Sequence, residues 1–351
     1  MKLLITGASG FLGKYIVAEA LRQGHQVRAV VRPASDETRL PWHNHPEVEL
    51  ARIDLRQRRG ITDALQDVDA VIHLAAVKEG DFYARFAGTV IATENLLEAM
   101  TEANVRRLIG ISTFSVYDYM NLRSGTVLDE NSPIEPNPLQ RDEYAQTKLI
   151  QEQLFRDFEQ NQDGQVTIIR PGMVYGRECL WNACLGGQLG ENLWLRIGAY
   201  AKMPLTYVEN CAIAILAATE YEEAIGQTIN IVDDNLPRQR TYAHELIKRM
   251  DSPPRTIPVN WTVMRLIANL AWFVNRFFFQ GEARLPGILV PAKLQARFKP
   301  LRYSNKRAKE ILHWTPKYSL ETAIERSCSD VELLDVPHQT PASPTPVVRS
   351  S

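Results

Sequence analysis

Short apolar runs alternate with segments whose apolar residues recur at three- and four-residue spacing through the first two-thirds of the chain. KLLIT at 2–6 is long enough for a buried strand and too short for a helix. Similar runs predict strands over 26–31, 48–53, 70–74, 107–112 and 166–170, with another over 228–232. Helical spacing predicts helices over 15–21, 61–65, 90–103, 144–160, 208–221 and 242–250. Strands that are apolar throughout, with helices between them, belong to a parallel sheet covered on both faces, which gives an α/β class. No internal repeat is present.

The first strand runs into Gly7, Gly10 and Gly13 before helical spacing resumes. A strand that turns through glycines into a helix offers free backbone N–H groups and a positive dipole end, both suited to a pyrophosphate. Gly7 would permit the tight turn, Gly10 the close approach of phosphate, and Gly13 close packing of helix on strand. The spacing is GxxGxxG rather than GxGxxG, and alone it is weak, because glycine turns between strand and helix are common. The second strand ends at Arg32, where a dinucleotide fold usually places an acid for the ribose 2′-hydroxyl. A guanidinium suits a 2′-phosphate, which favours NADP; an ordinary solvated arginine is the plainer alternative. Asp36 and Glu37 follow closely and could serve NAD instead.

Composition changes this picture little. The 351 residues suffice for one large or two moderate units, and 45% hydrophobic with 23% charged residues is ordinary globular usage. A formal net charge of −1 gives no basic field for nucleic acid. Cys179, Cys184, Cys211 and Cys328 have no CxxC spacing, which suits reduced thiols in a cytoplasmic protein. No metal site is expected. The N-terminus enters a strand at once, without the apolar stretch of a signal peptide.

A series of motifs then narrows the reading: TGASGFLG at 6–13, Asp54-Leu55, HLAA at 73–76, STFSVY at 112–117, YAQTK at 144–148, RPGMVYG at 170–176 and YVENCA at 207–212. In this order and spacing they resemble the extended short-chain dehydrogenases/reductases, in the NAD(P)-dependent epimerase/dehydratase family and its 3β-hydroxysteroid-dehydrogenase-like branch. A weaker echo, YSNKRAKEILHWTPKYSLE, lies at 303–321. The resemblance implies a Rossmann-type doubly wound parallel sheet with a smaller, interleaved C-terminal substrate cap. It places the cofactor domain at 1–176, with 206–233 returning to it, and the cap at 177–205 and 234–335; the Pro/Ser/Thr-rich composition of 336–351 predicts a disordered tail. The resemblance also implies cofactor contacts at Gly7, Gly10, Phe11, Leu12, Gly13, Arg32, Asp54, Leu55, Leu74, Ala75, Ala76, Tyr144, Lys148, Pro171 and Val174.

Tyr144 and Lys148 lie four apart, so on a helix they share a face. A tyrosine with a pKa near 10 is a poor base at neutral pH, and a neighbouring ammonium would lower that pKa. Thr113 stands at the place of the family's catalytic Ser/Thr, with Ser112 and Ser115 as runners-up, and would steady charge on the reacting oxygen. Such a triad moves a proton on or off a hydroxyl while hydride passes to or from nicotinamide. An incidental surface Tyr/Lys pair is the bland alternative. His73 reads as a structural histidine at a strand end.

Departures from the family pattern restrict the chemistry. Dehydratases carry Asp-Glu directly after the threonine, whereas Phe114 and Ser115 stand here, so a sugar 4,6-dehydratase is not expected, nor a decarboxylase that needs a carboxylate nearby. Met173 replaces the asparagine of RPxNVYG, offering a soft apolar surface on the substrate side or simply core filling. Phe114 and Ser115 would also be substrate-side. Thr89 and Ala92 replace the Asn and Gly that often precede the long helix. Together these favour reversible oxidation of an alcohol over sugar-nucleotide chemistry.

Beyond 176 the glycines of GRECLWNACLGGQLGEN read as irregular, substrate-side chain. The segment from Trp261 to Phe279, WTVMRLIANLAWFVNRFFF, predicts a helix with a narrow polar stripe of Thr262, Arg265, Asn269 and Arg276. A spanning helix needs about 20 mostly apolar residues, and the two arginines argue against one. Burial in the cap, a homodimer interface and a seat on a membrane surface stay open. Either a greasy cap or a membrane seat suits an apolar alcohol or ketone of sterol- or isoprenoid-like kind. The expected function is an oxidoreductase using NADP, or NAD, on a small-molecule secondary alcohol or ketone. An epimerase without net redox is the alternative, and a cofactor-sensing binding protein the remote one.

Overall fold

The computed structural model describes residues 1–336 apart from 191, 251, 281, 282 and 284. Seven strands form one parallel sheet: β1 Lys2–Thr6, β2 Gln26–Val31, β3 Val48–Arg52, β4 Ala70–His73, β5 Arg107–Ile111, β6 Gln165–Pro171 and β7 Thr228–Ile231. Their spatial order is β7-β6-β5-β4-β1-β2-β3, every pairing parallel. The direction of progression reverses between β1 and β4. A crevice opens at such a point beyond the carboxyl ends of the strands.

Helices cover both faces. Helix α1 (Phe11–Arg22) packs on one side with α4 (Val208–Glu220), while α2 (Ala92–Glu102) and α3 (Glu143–Asn161) cover the other. Leu3 and Ile5 face the first layer, and Leu4 the second, which is why the middle of β1 is apolar at three successive positions. The segment after 205 returns to this unit: Leu205–Tyr207 pairs with Met173–Tyr175, and β7 closes the sheet edge beside β6.

The rest forms a second layer. Strands Gly186–Gly190, Leu193–Ile197 and Arg255–Val259 make a three-stranded sheet, joined by α5 (Gln239–Ile247), α6 (Trp261–Phe278) and α7 (Pro291–Phe298). Three expectations need correction here. The stretch after 176 is not all irregular: Gly186–Gly190 is a strand, and its glycines serve close approach, since a Cβ on Gly186 would lie 1.8 Å from the Leu195 carbonyl oxygen. Helix 242–250 starts three residues earlier, at Gln239, whose buried amide donates to the carbonyls of Leu185 (2.8 Å) and Ile197 (2.7 Å). Burial does not account for α6, of which only Trp261, Met264, Ala268 and Asn275 are buried. No helix among the described residues is long and apolar enough to cross a membrane. The tail expected to be disordered lies, Val336 aside, outside the described residues.

Candidate active site

The motif residues gather at the carboxyl ends of the strands beside the switch point. Gly7 follows β1 with φ +68°, a left-handed conformation natural to glycine, and a Cβ there would crowd the backbone of Leu74 and Ala75 at 3.2 Å. A Cβ on Gly13 would sit 2.2 Å from the Gly7 carbonyl oxygen, so the first turn of α1 rests directly on the loop. The Gly7 carbonyl accepts from the Gly10 amide at 2.9 Å. Helix α1 has no side-chain cap and no acid in its first turn. Its leading N–H groups therefore face the crevice mouth with half-buried Phe11 and Leu12 beside them, an arrangement that fits a dinucleotide pyrophosphate.

Arg32 follows β2 and is exposed. The acids near it are engaged. Glu37 pairs with Arg52, Asp36 caps Thr38 (3.1 Å) and pairs with Arg39 (3.2 Å), and Asp54 takes a forked contact from Arg56 (2.9 and 2.6 Å). The Arg56 contact holds the Asp54 carboxyl below its ordinary range. Leu55 is buried, its carbonyl accepting from Asn95 at 2.9 Å. Leu74, Ala75 and Ala76 extend from β4, Pro171 ends β6, and Met173 and Val174 are half-buried in the short strand that follows.

Thr113 leaves the end of β5 and caps the turn 114–116, its Oγ1 accepting from the Ser115 amide at 3.2 Å. Tyr144 lies in the first turn of α3, which Asp142 caps by accepting from Ala145 (3.1 Å). The Thr113 hydroxyl lies near enough to Tyr144 to favour its ionised form. Burial pushes the tyrosine pKa up to about 12, with the nearby Thr113 hydroxyl the opposing influence.

That value corrects the expectation that Lys148 lowers it, and the reason is where the lysine points. Its Nζ donates to the Ile111 carbonyl at 2.5 Å and to the Gln151 amide oxygen, while burial brings its own pKa down to about 7. The acid Glu152 opposes that fall, and Lys78 adds to it. Phe114 also needs correction. It is buried in the core, stacked on Tyr303 (5.9 Å, 24°) and edge-on to Tyr117 (5.7 Å), so it has little surface to offer a substrate. Ser115 stays half-buried near Thr113, the hydroxyls 3.4 Å apart.

Behind the triad runs a buried polar chain that motif matching overlooks. Gln151 donates to Thr93 Oγ1 (2.8 Å) and to the Ala75 carbonyl (3.3 Å), and Thr93 donates to the Thr89 carbonyl (2.6 Å). His73 bridges Thr93 (2.9 Å, through Nε2) and Thr6 (2.7 Å, through Nδ1), and the register sets Thr6 level with His73. Burial lowers the His73 pKa to about 3, so it is neutral and structural. Thr89 belongs to a π-helical stretch, Ala87–Ile91, between Phe82–Phe86 and α2, and its hydroxyl accepts from the Val77 amide (3.0 Å). One turn past Lys148, Glu152 accepts a forked contact from Arg170 (2.8 and 2.6 Å) and a bond from Ser112, all buried. The sequence signal for these was present but plain: polar residues on the inner face of α3.

Comparison with known proteins agrees with this geometry. The model of the NAD dependent epimerase/dehydratase family matches residues 3–232. The sterol demethylase protein B of Methylococcus capsulatus is 33% identical over 180 residues, 50% of this chain and 52% of that one. The human sterol-4-alpha-carboxylate 3-dehydrogenase, decarboxylating, is 26% identical, over 92% of this chain and 86% of its own. The 3 beta-hydroxysteroid dehydrogenase/Delta 5-->4-isomerase of Mycobacterium tuberculosis is also 26% identical, over 92% and 88%. Among solved structures, the UDP-glucuronic acid 4-epimerase of Bacillus cereus in complex with NAD shares the fold at a TM-score of 0.68 and 23% identity, over 93% of this chain and 97% of that one. With the matched family model spanning the glycine loop, the triad and the return to the sheet, the chain belongs to the NAD dependent epimerase/dehydratase family.

Proposed function

We propose that this protein is an NADP(H)-preferring oxidoreductase that interconverts a secondary alcohol and a ketone on an apolar, sterol-like substrate. The observation that carries the reading is Tyr144 in the first turn of α3, one turn from buried Lys148 and within the influence of the Thr113 hydroxyl. Nicotinamide, when bound, gives or takes the hydride. Tyr144 keeps its proton on Oη at neutral pH, ready to donate to a carbonyl oxygen as it becomes an alcohol. Thr113 Oγ1 holds that oxygen in line and stabilises charge on it. The NADP preference is supported by exposed Arg32 among acids already engaged by Arg52, Arg39 and Arg56. The apolar substrate is supported by Met173 beside the site and by the sterol names of several relatives.

The test is turnover of a panel of sterols and apolar ketones with NADPH and NADH. Tyr144→Phe should lower kcat by about 10²–10⁴-fold while leaving NADPH affinity unchanged. Full turnover in that variant would overturn the mechanism. Stoichiometric, tightly held NAD with stereochemical inversion and no net nicotinamide absorbance change would instead mark an epimerase.

A further inference from the structure

The exposed face of α6 is a site that the reaction does not use. At 3.6 residues per turn, its buried positions, Trp261, Met264, Ala268 and Asn275, span a sector of about 60°. Beside it runs the polar stripe of Thr262, Arg265, Asn269 and Arg276, about 60° wide. Val263, Leu266, Ile267, Leu270, Phe273 and Phe277 fill a third sector of about 120° and are all exposed, Leu270 at 64% and Phe277 at 71%. The helix thus presents more apolar surface to its surroundings than to its own protein. Phe278, the last residue of the helix, and Phe279 just beyond it extend that surface.

The charges choose between occupants. Residues 252–303 hold eight Lys/Arg against one Asp/Glu, a surplus of seven cations in a chain whose net charge is −1. Neither Arg265 nor Arg276 pairs with a carboxylate among the described residues. A second copy docking through this face would crowd two cationic patches into one interface, because a two-fold contact uses the same patch on both copies. An anionic bilayer offers apolar depth beneath a negative surface, which matches both sectors at once.

We infer that α6 lies in the headgroup region of an anionic lipid bilayer, its Val263–Phe277 stripe facing the acyl chains and Arg265 and Arg276 reaching the lipid phosphates. The helix does not span the membrane; it seats the cap on it. This rests on the face alone and holds whether or not the proposed reaction is right.

The test is sedimentation of the purified full-length protein with phosphatidylcholine vesicles, with and without phosphatidylglycerol. The protein should pellet with the phosphatidylglycerol vesicles, and added salt should weaken the binding. Arg265→Glu with Arg276→Glu should lower binding to those vesicles by about fivefold or more per arginine. Leu266→Gln/Leu270→Gln/Phe273→Gln should lower it by at least about tenfold on any vesicle, and Leu139→Gln, an exposed apolar residue elsewhere, should leave it unchanged. Circular dichroism of each variant should match the native protein, since the replaced side chains are exposed. Failure of the native protein to pellet on either vesicle overturns the inference. So does a concentration-dependent dimer that the triple glutamine variant dissolves, which gives the face to a second copy.

Discussion

Helices α3 and α6 are of similar length, yet they spend their inner faces differently. Helix α3 buries polar groups, Lys148, Gln151 and Glu152, and satisfies each one against β4, β5, β6 or α2. Helix α6 buries two large apolar residues, an alanine and an asparagine, and turns its larger apolar sector outward. Polar groups without partners are costly inside a protein, so the inner face of α3 is fixed by its neighbours. Exposed apolar groups cost little in the folded chain and become valuable only against another surface. The first helix is therefore finished by the fold itself, and the second leaves its larger apolar face uncovered.

Four substitutions sharpen that contrast. The largest effect is expected from Glu152→Ala, which strands the buried Arg170 guanidinium and should cost about 3–5 kcal/mol in chemical denaturation. If the loss were under about 1 kcal/mol, the pairing would not be holding α3 to the sheet. Next comes Gly13→Ala, where the added methyl meets the Gly7 carbonyl; about 1–3 kcal/mol and a weaker dinucleotide affinity should follow, read by denaturation and by cofactor titration.

Gln151→Leu should cost a similar or smaller amount, about 1–3 kcal/mol, by stripping partners from Lys148 and Thr93. It also tests a pH effect. Burial depresses the Lys148 pKa from its ordinary 10.5 to about 7, so between those values the unfolded chain binds a proton that the folded chain does not. This group's contribution therefore makes stability rise with pH across that window, and the ammonium's burial penalty is fully present below it. Losing the Gln151 acceptor should extend the rise below pH 7, visible in Tm measured across neutral pH. The smallest effect belongs to Leu270→Gln on α6, which should shift stability by no more than about 0.5 kcal/mol. A loss as large as that of a core leucine would mean that the exposed face carries weight within the monomer.

The seven main strands were legible because a strand buried on both faces carries consecutive apolar residues, as Leu3-Leu4-Ile5 in β1, Ala29-Val30-Val31 in β2 and Leu108-Ile109 in β5 do. The glycine loop and the Thr113/Tyr144/Lys148 set were legible because their spacing is fixed by the strand-to-helix turn and by one helical turn. The strand Gly186–Gly190 was not: three glycines in five residues carry no β-branched or alternating signal, and the strand exists because the backbone of Leu195 comes so near. The direction of Lys148 was not legible either. Periodicity tells which face of α3 it occupies, but the pull of the Ile111 carbonyl and Gln151 depends on residues brought together by β5 and the helix. Phe114 escaped for a like reason, since Tyr303, which covers it, comes from almost the other end of the chain.

The two acceptors on Lys148 carry one more consequence. An ammonium has three N–H bonds, and here two are committed to Ile111 and Gln151. A single donor is left over, and it has one direction in which to point. When the proton is lost, near pH 7, the amine retains two N–H bonds and both already have owners. A side chain usually thought of as a swivelling charge becomes a one-armed donor in mild acid and a closed one in mild base, so any hydroxyl offered to it at this crevice would find the arm extended or folded according to pH.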